Sequence, residues 1–172
     1  MPSIDLTRAA AEPLGFDERL PLPAGTGGEE VVSPGEAEIK GSIEKGSRGF
    51  LVSGEIRGSA ALRCVRCLTS FPFEYFETFE LELRPVDRAP REEETRLGKN
   101  DLDVRFYDEP TLDLAELAAE QFELAMPMKP ICDEACKGLC ATCGTNLNEG
   151  RCDCPEEKDE RWAPLAEWRP SE

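Results

Sequence analysis

Cys64-Val65-Arg66-Cys67-Leu68-Thr69-Ser70-Phe71-Pro72-Phe73-Glu74-Tyr75-Phe76-Glu77-Thr78-Phe79-Glu80-Leu81-Glu82-Leu83 joins a close cysteine pair to a long alternating segment. Phe71, Phe73, Tyr75, Phe79, Leu81 and Leu83 share one side, and Glu74, Thr78, Glu80 and Glu82 share the other. Successive side chains of a strand point to opposite faces, so this period predicts a half-buried strand over residues 71–83. Phe76 and Glu77 break the period, which predicts a bulge or bend.

Upstream, Ala37, Ile39 and Ile43 alternate with Glu36, Glu38, Lys40, Ser42 and Glu44, a second half-buried strand. Gly46-Ser47-Arg48-Gly49 makes a turn, Phe50–Ile56 returns as its partner, and Gly58 allows another bend. The first thirty residues, broken by Pro13, Pro21, Pro23 and Gly25-Thr26-Gly27-Gly28, hold at most one edge strand near Ile4–Leu6. Downstream, residues 87–101 lack an apolar period and read as a mobile loop, and Leu102–Tyr107 can form one more strand. Asp113 suits a helix N-cap, with Glu116 placed for a capping box. Leu114, Leu117, Ala118, Phe122 and Ala125 line one helical face, and Pro127 ends the helix.

The expected class is therefore α+β: a mainly antiparallel β-sheet or partial barrel, one covering helix, and a cysteine-rich, zinc-binding C-terminal segment. Residues 1–126 form the β-rich domain, with its helix at about 113–126. Residues 127–172 form a zinc-organised tail that docks back on it.

Eight cysteines and no histidine occur in 172 residues. They fall into the pairs Cys64–Cys67, Cys132–Cys136, Cys140–Cys143 and Cys152–Cys154. A structural zinc takes four ligands at the corners of a tetrahedron, and each close pair supplies half of a four-thiolate shell, so two sites are expected. Disulfides are the competing use of an even cysteine count. Met1-Pro2-Ser3-Ile4-Asp5 begins no apolar signal segment, which favours a reducing cytoplasm and metal ligation over disulfides. Four pairs can share two metals in three ways. The favoured partition joins Cys140, Cys143, Cys152 and Cys154, where Gly144 supplies the positive φ that a metal knuckle's turn needs. Cys64, Cys67, Cys132 and Cys136 then form a second site that staples the sheet to the segment after the helix. Iron in a rubredoxin-like shell is the rival ion, although Cys152-x-Cys154 departs from the usual C-x2-C. A thioredoxin-like redox pair is disfavoured because Cys64 and Cys67 sit between two strands.

Acidic residues outnumber basic ones, 36 to 20, for a formal charge of −16. Such a surface repels phosphates, so direct RNA contact is expected to be weak and a basic protein is the better partner. Glu74, Glu80 and Glu82, with Glu92, Glu93 and Glu94 in the following loop, form either an ordinary solvated face or a docking surface for a Lys/Arg-rich ribosomal protein. Without histidine the commonest general base is missing, and no phosphate loop or nucleophile elbow is present, so no enzyme is expected. No apolar run reaches the length of a membrane span. The amphipathic end containing Trp162 and Trp168 packs back on the domain or forms an aromatic patch for a partner.

The order Cys64-Val65-Arg66-Cys67-Leu68, aromatic–acidic strand, helix, Cys132-Asp133-Glu134-Ala135-Cys136-Lys137-Gly138-Leu139-Cys140-Ala141-Thr142-Cys143-Gly144-Thr145-Asn146-Leu147-Asn148 and Cys152-Asp153-Cys154 resembles the YceD family. These are bacterial and plastid proteins named for accumulation of large-subunit ribosomal RNA, and the likeness runs from about residue 36 to Trp168. It implies a non-enzymatic role in synthesis, processing or stability of that RNA, in ribosome biogenesis. Together with that role, the acidic surface points to a basic ribosomal protein or the pre-ribosomal large subunit as the expected partner. Some members keep the first cysteine pair with a reduced set near the C-terminus, which implies that Cys64, Cys67, Cys132 and Cys136 are the older structural site. The family carries over no catalytic residue. A thiol-based redox or zinc sensor is the alternative function, its Cys152–Cys154 site opening on oxidation.

Overall fold

Apolar residues at every second position make four long strands pair side by side and turn one face inward. The computed structural model describes residues 2–89, 98 and 102–155. In chain order the strands are β1 (Ser3–Asp5), β2 (Leu14–Pro21), β3 (Val31–Lys45), β4 (Phe50–Arg63), β5 (Ser70–Pro85), β6 (Val104–Tyr107) and β7 (Thr111–Asp113), followed by the helix α1 (Leu114–Ala125). β2 to β6 form a five-stranded sheet in sequential order, and β1 pairs with β7 in a separate ribbon. All pairs are antiparallel except β5–β6, which is parallel. The sheet is open, so the α+β class holds with a sheet rather than a barrel.

Register places Ala37, Ile39, Ile43, Val52, Ile56, Tyr75, Phe79 and Leu83 on one face, all buried. The helix α1 covers that face with Leu114, Leu117, Ala118 and Phe122, and the Phe122 ring meets Tyr75 edge-on at 5.1 Å. Asp113 caps α1 by accepting hydrogen bonds from Ala115 N at 2.8 Å and Glu116 N at 3.2 Å. Glu116 does not complete a capping box; its carboxylate instead lies 2.7 Å from Arg105. The helix ends at Ala125, two residues before Pro127. The opposite face is exposed and charged, carrying Asp17, Arg19, Glu36, Lys40, Glu55, Arg57, Glu74, Phe76 and Glu80. Its ion pairs, such as Arg19–Glu36 at 3.0 Å, are solvent-exposed and contribute at most about 1 kcal/mol each.

Four expectations change. The first thirty residues hold two strands, because Phe16 and Leu20 bury themselves along β2 despite Glu18 between them. β4 runs straight through Gly58, with no bend. A Cβ there would come within 2.5 Å of Tyr75 Oη and 2.6 Å of Glu36 O, so the glycine admits a close approach. β5 pairs with β4 without interruption from Ser70 to Leu83, so no bulge occurs at Phe76–Glu77. The register shifts lie at the start of β3, between Val31 and Glu36. Finally, Glu82 is no free docking charge: Arg48 holds it at 2.9 Å and Arg84 also grips it. The hydrogen bond from Arg84, followed by the opposing effect of burial, leaves the Glu82 carboxyl below its ordinary range. Most of the loop at 87–101, including Glu92, Glu93 and Glu94, lies outside the described residues, as do Trp162 and Trp168.

Candidate metal centres

The chain leaves β4 at Cys64 and reverses within six residues. Cys64 N donates to Thr69 O at 2.9 Å, and Leu68 N donates to Cys64 O at 2.9 Å. Closing that reversal puts Leu68 at φ 61°, a left-handed backbone that non-glycine residues rarely adopt. The same turn recurs at Cys140. Cys140 N donates to Thr145 O and Gly144 N to Cys140 O, both at 2.9 Å, with Gly144 at φ 73°. The two knuckles share the pattern Cys-x2-Cys-x-Thr, and in both the threonine lies beside the second cysteine. Thr145 Oγ1 is 3.1 Å from Cys143 Sγ, and hydrogen bonds from Thr69 lower the Cys67 thiol pKa. Sequence reasoning found the glycine and missed its leucine counterpart.

Two further turns complete the sets. Asp133 accepts from Ala135 N through its side chain at 2.7 Å and from Cys136 N through its carbonyl at 3.0 Å, which brings Cys132 and Cys136 together. The eight sulfurs then collect as Cys64, Cys67, Cys132 and Cys136, and as Cys140, Cys143, Cys152 and Cys154. Within each group the sulfurs all lie within 4.8 Å of one another. Cys64–Cys136 is 3.8 Å and Cys67–Cys132 is 3.6 Å. A tetrahedron of sulfurs about 2.3 Å from a central zinc has edges of about 3.8 Å. Disulfide sulfurs would be about 2.05 Å apart. All eight cysteines are free. Both groups have the size and donor chemistry to hold a metal ion.

Their electrostatics suit a cation. Burial pushes the Cys64 thiol up, but amides of Cys67, Cys132 and Arg66 outweigh it and bring the thiol down to about 6. Cys132 is pushed up to about 12 by burial of its sulfur among the other three. In the second group, amides of Cys143 and Thr142 bring Cys140 down to about 6, while Cys143 beside it, then burial, push Cys154 up to about 12. In each group the two knuckle thiols are brought down, while Cys132 in the first and Cys152 and Cys154 in the second are raised; a divalent ion bound at the centre displaces the remaining protons.

Polar residues outside the cysteines hold the groups in register, a feature with no local sequence signal. Arg66 Nη1 donates to Glu134 O at 3.0 Å and to Cys136 O at 3.1 Å. Val65 N donates to Pro130 O at 2.9 Å, and Leu139 N to Arg66 O at 3.1 Å. Asn148, beyond the second knuckle, donates to Cys136 Sγ at 3.3 Å and accepts from Lys137 N at 2.8 Å. Cys64, Cys67 and Cys136 form a small buried cluster with Phe71, Ile131 and Leu139 packed on it, and Phe71 also packs against the main core. The second group is more open, with Cys143 exposed and its three companions half-buried. Changing Cys154 to serine is therefore expected to remove amide protection only from residues after about 137. Hydrogen exchange checks this, and equal loss along β3 and β4 would contradict it.

The chain that builds these centres is similar to known proteins. A sequence profile described as "Large ribosomal RNA subunit accumulation protein YceD" matches residues 52–168, which include both knuckles and all eight cysteines. The chain belongs to the YceD family. Over 59 residues, 34% of this chain and 18% of the relative, it is 42% identical to an Arabidopsis thaliana protein called large ribosomal RNA subunit accumulation protein YCED homolog 1, chloroplastic. The Zea mays protein of the same name is 28% identical over 142 residues, 69% of this chain and 48% of the relative. An uncharacterised Mycobacterium tuberculosis protein is 30% identical over 129 residues, 73% of this chain and 58% of the relative. The chain thus spans from under a fifth to under two thirds of these relatives. No solved structure matches it.

Proposed function

We propose that this YceD-family chain is a non-enzymatic factor supporting the synthesis, processing or stability of large-subunit ribosomal RNA. It works in the cytoplasm through contacts with basic ribosomal proteins, and each four-cysteine group holds zinc. The observation that carries the reading is the family match across residues 52–168, named for accumulation of that RNA. Sulfur edges of 3.6 and 3.8 Å support zinc, a soft-tolerant ion that four thiolates bind tetrahedrally. Held there, zinc supplies cross-linking and no redox step. The charge of −16 and the exposed acidic sheet face support a basic protein over bare RNA as the direct contact. The lack of any histidine supports a non-catalytic role. Among the described residues no helix is long and apolar enough to cross a membrane.

The test is complementation of cells lacking the gene, reading the ratio of large- to small-subunit ribosomal RNA. Wild type restores the ratio. The double variant Glu74→Lys with Glu80→Lys folds normally, since both side chains are exposed, and restores it less. An unchanged ratio in the deleted cells contradicts the RNA role; full rescue by the double variant contradicts docking on this face. The exposure of the second cysteine group favours one other reading, a thiol-based redox or zinc sensor. Peroxide then oxidises two of its thiolates to a disulfide, is itself reduced to water, and releases one zinc. Retention of both zincs under peroxide removes that reading.

A further inference from the structure

We propose that the outer edge of β5, over residues 74–81, accepts an extended Lys/Arg-rich peptide as an added strand. β6 pairs only with Glu82–Pro85, so among the described residues no strand pairs with the rest of that edge. Glu82 N donates outward to Asp103 O at 2.8 Å. Backbone groups of an antiparallel strand alternate in direction, and the β4–β5 register is unbroken. The N–H and C=O groups of Glu74, Phe76, Thr78 and Glu80 therefore point out of the sheet on the same side. Natural edges of this length are usually blunted by proline, a bulge or lysine. Residues 74–81 contain none of these, inward-facing Glu77 being the one charge that guards the edge, and offer four outward donor–acceptor pairs.

The lining selects the occupant. A groove of about 780 Å³ runs between this edge and the second half of α1, with Glu77, Glu80, Asp103, Glu120 and Glu123 around it. Among the described residues no cation pairs with Glu77, Glu80 or Asp103, whereas Arg105 holds Glu120 at 3.1 Å. Burial keeps the Glu120 carboxyl above its ordinary range even so, and an arriving cation offsets that. Leu102 and Leu124 flank the groove at 70% and 78% exposure, apolar ledges for the methylene stems of lysine and arginine. Acids around an open edge repel acidic strands, including a second copy of this chain, give a neutral strand no charge pairing, and favour a basic one. The inference deepens the protein-contact reading, but it is tested on the purified chain, so its failure and that of the ribosomal RNA role are separable.

The probe is a synthetic peptide alternating lysine with valine, titrated into the metal-loaded chain and followed by amide NMR and hydrogen exchange. The expected result is shift and new protection at Phe76, Thr78 and Glu80, with affinity falling as salt screens the acids. Thr78→Pro removes an outward N–H that bonds nothing in the sheet, so the fold persists while binding weakens by about tenfold or more. The double variant Glu77→Lys with Glu80→Lys, which leaves the backbone edge intact, weakens it similarly. Three results would overturn the proposal. One is that these amides are already as protected in the free chain as those of β4. Another is that a serine–valine peptide, or an RNA oligonucleotide, binds the edge as tightly. The third is unchanged lysine–valine binding by both variants.

Discussion

Replacing Cys64 with serine is expected to free the segment after Pro127 from the sheet and to lower the stability of the chain by about 4 kcal/mol. Cys64 is fully buried, with its sulfur 3.8 Å from Cys136 across a sequence separation of 72 residues. A metal held by both cysteine pairs closes a loop that the unfolded chain must otherwise close by chance, and a loop of some sixty-odd residues carries about that entropy. Serine cannot replace the thiolate, so the shell loses binding energy that is also folding energy. The main core has its own set of buried residues, so the sheet still folds, while Phe71, which packs against both clusters, passes part of the loss to it. Denaturant unfolding should show the lower midpoint, and hydrogen exchange should show protection lost at 64–69 and 130–150 but only reduced at 37–43. An unchanged midpoint would mean that the hydrogen bonds of Arg66 and Asn148 hold the tail without the metal.

The second large effect lies in the main core. Phe122→Ala is expected to cost about 3–5 kcal/mol, because Phe122 is fully buried and the ring fills the space between α1 and Tyr75. A helix of 12 residues is marginal alone, so α1 depends on this packing to stay folded. A fall in Tm of roughly 10 °C follows for a chain of this size. Leu124→Ala, on the exposed side of the same helix, should change stability by less than about 0.5 kcal/mol. Equal effects of the two substitutions in thermal unfolding would contradict the placement of α1 on the sheet.

The β5 strand was legible in the sequence because its apolar residues alternate, and α1 because Asp113, a helical apolar face and Pro127 agree. Cysteine spacing together with Gly144 pointed to the grouping of sulfurs that the fold produces. Errors arose where chemistry and backbone geometry part company. Glu77 sits on the core side of β5 but at an edge that α1 does not cover, so a polar residue broke the pattern without bending the strand. Gly58 resembled a turn residue, yet its need for a small side chain comes from Tyr75 on the neighbouring strand. Glu18 hid β2, whose pairing with β3 supplies what its own pattern lacks. Leu68 carries no glycine signal for its left-handed backbone, and Asn148 reaches Cys136 only after the tail has folded back.

Metal content tests the central claim, that two four-cysteine centres organise this YceD-family chain, most directly. Native mass spectrometry with elemental analysis, on protein purified under reducing conditions without chelator, should find two zinc ions per chain. Chelation should return the apo mass with all eight thiols titratable and the segment after Pro127 released. One zinc or none, iron in place of zinc, or cysteines recovered as disulfides would contradict the account.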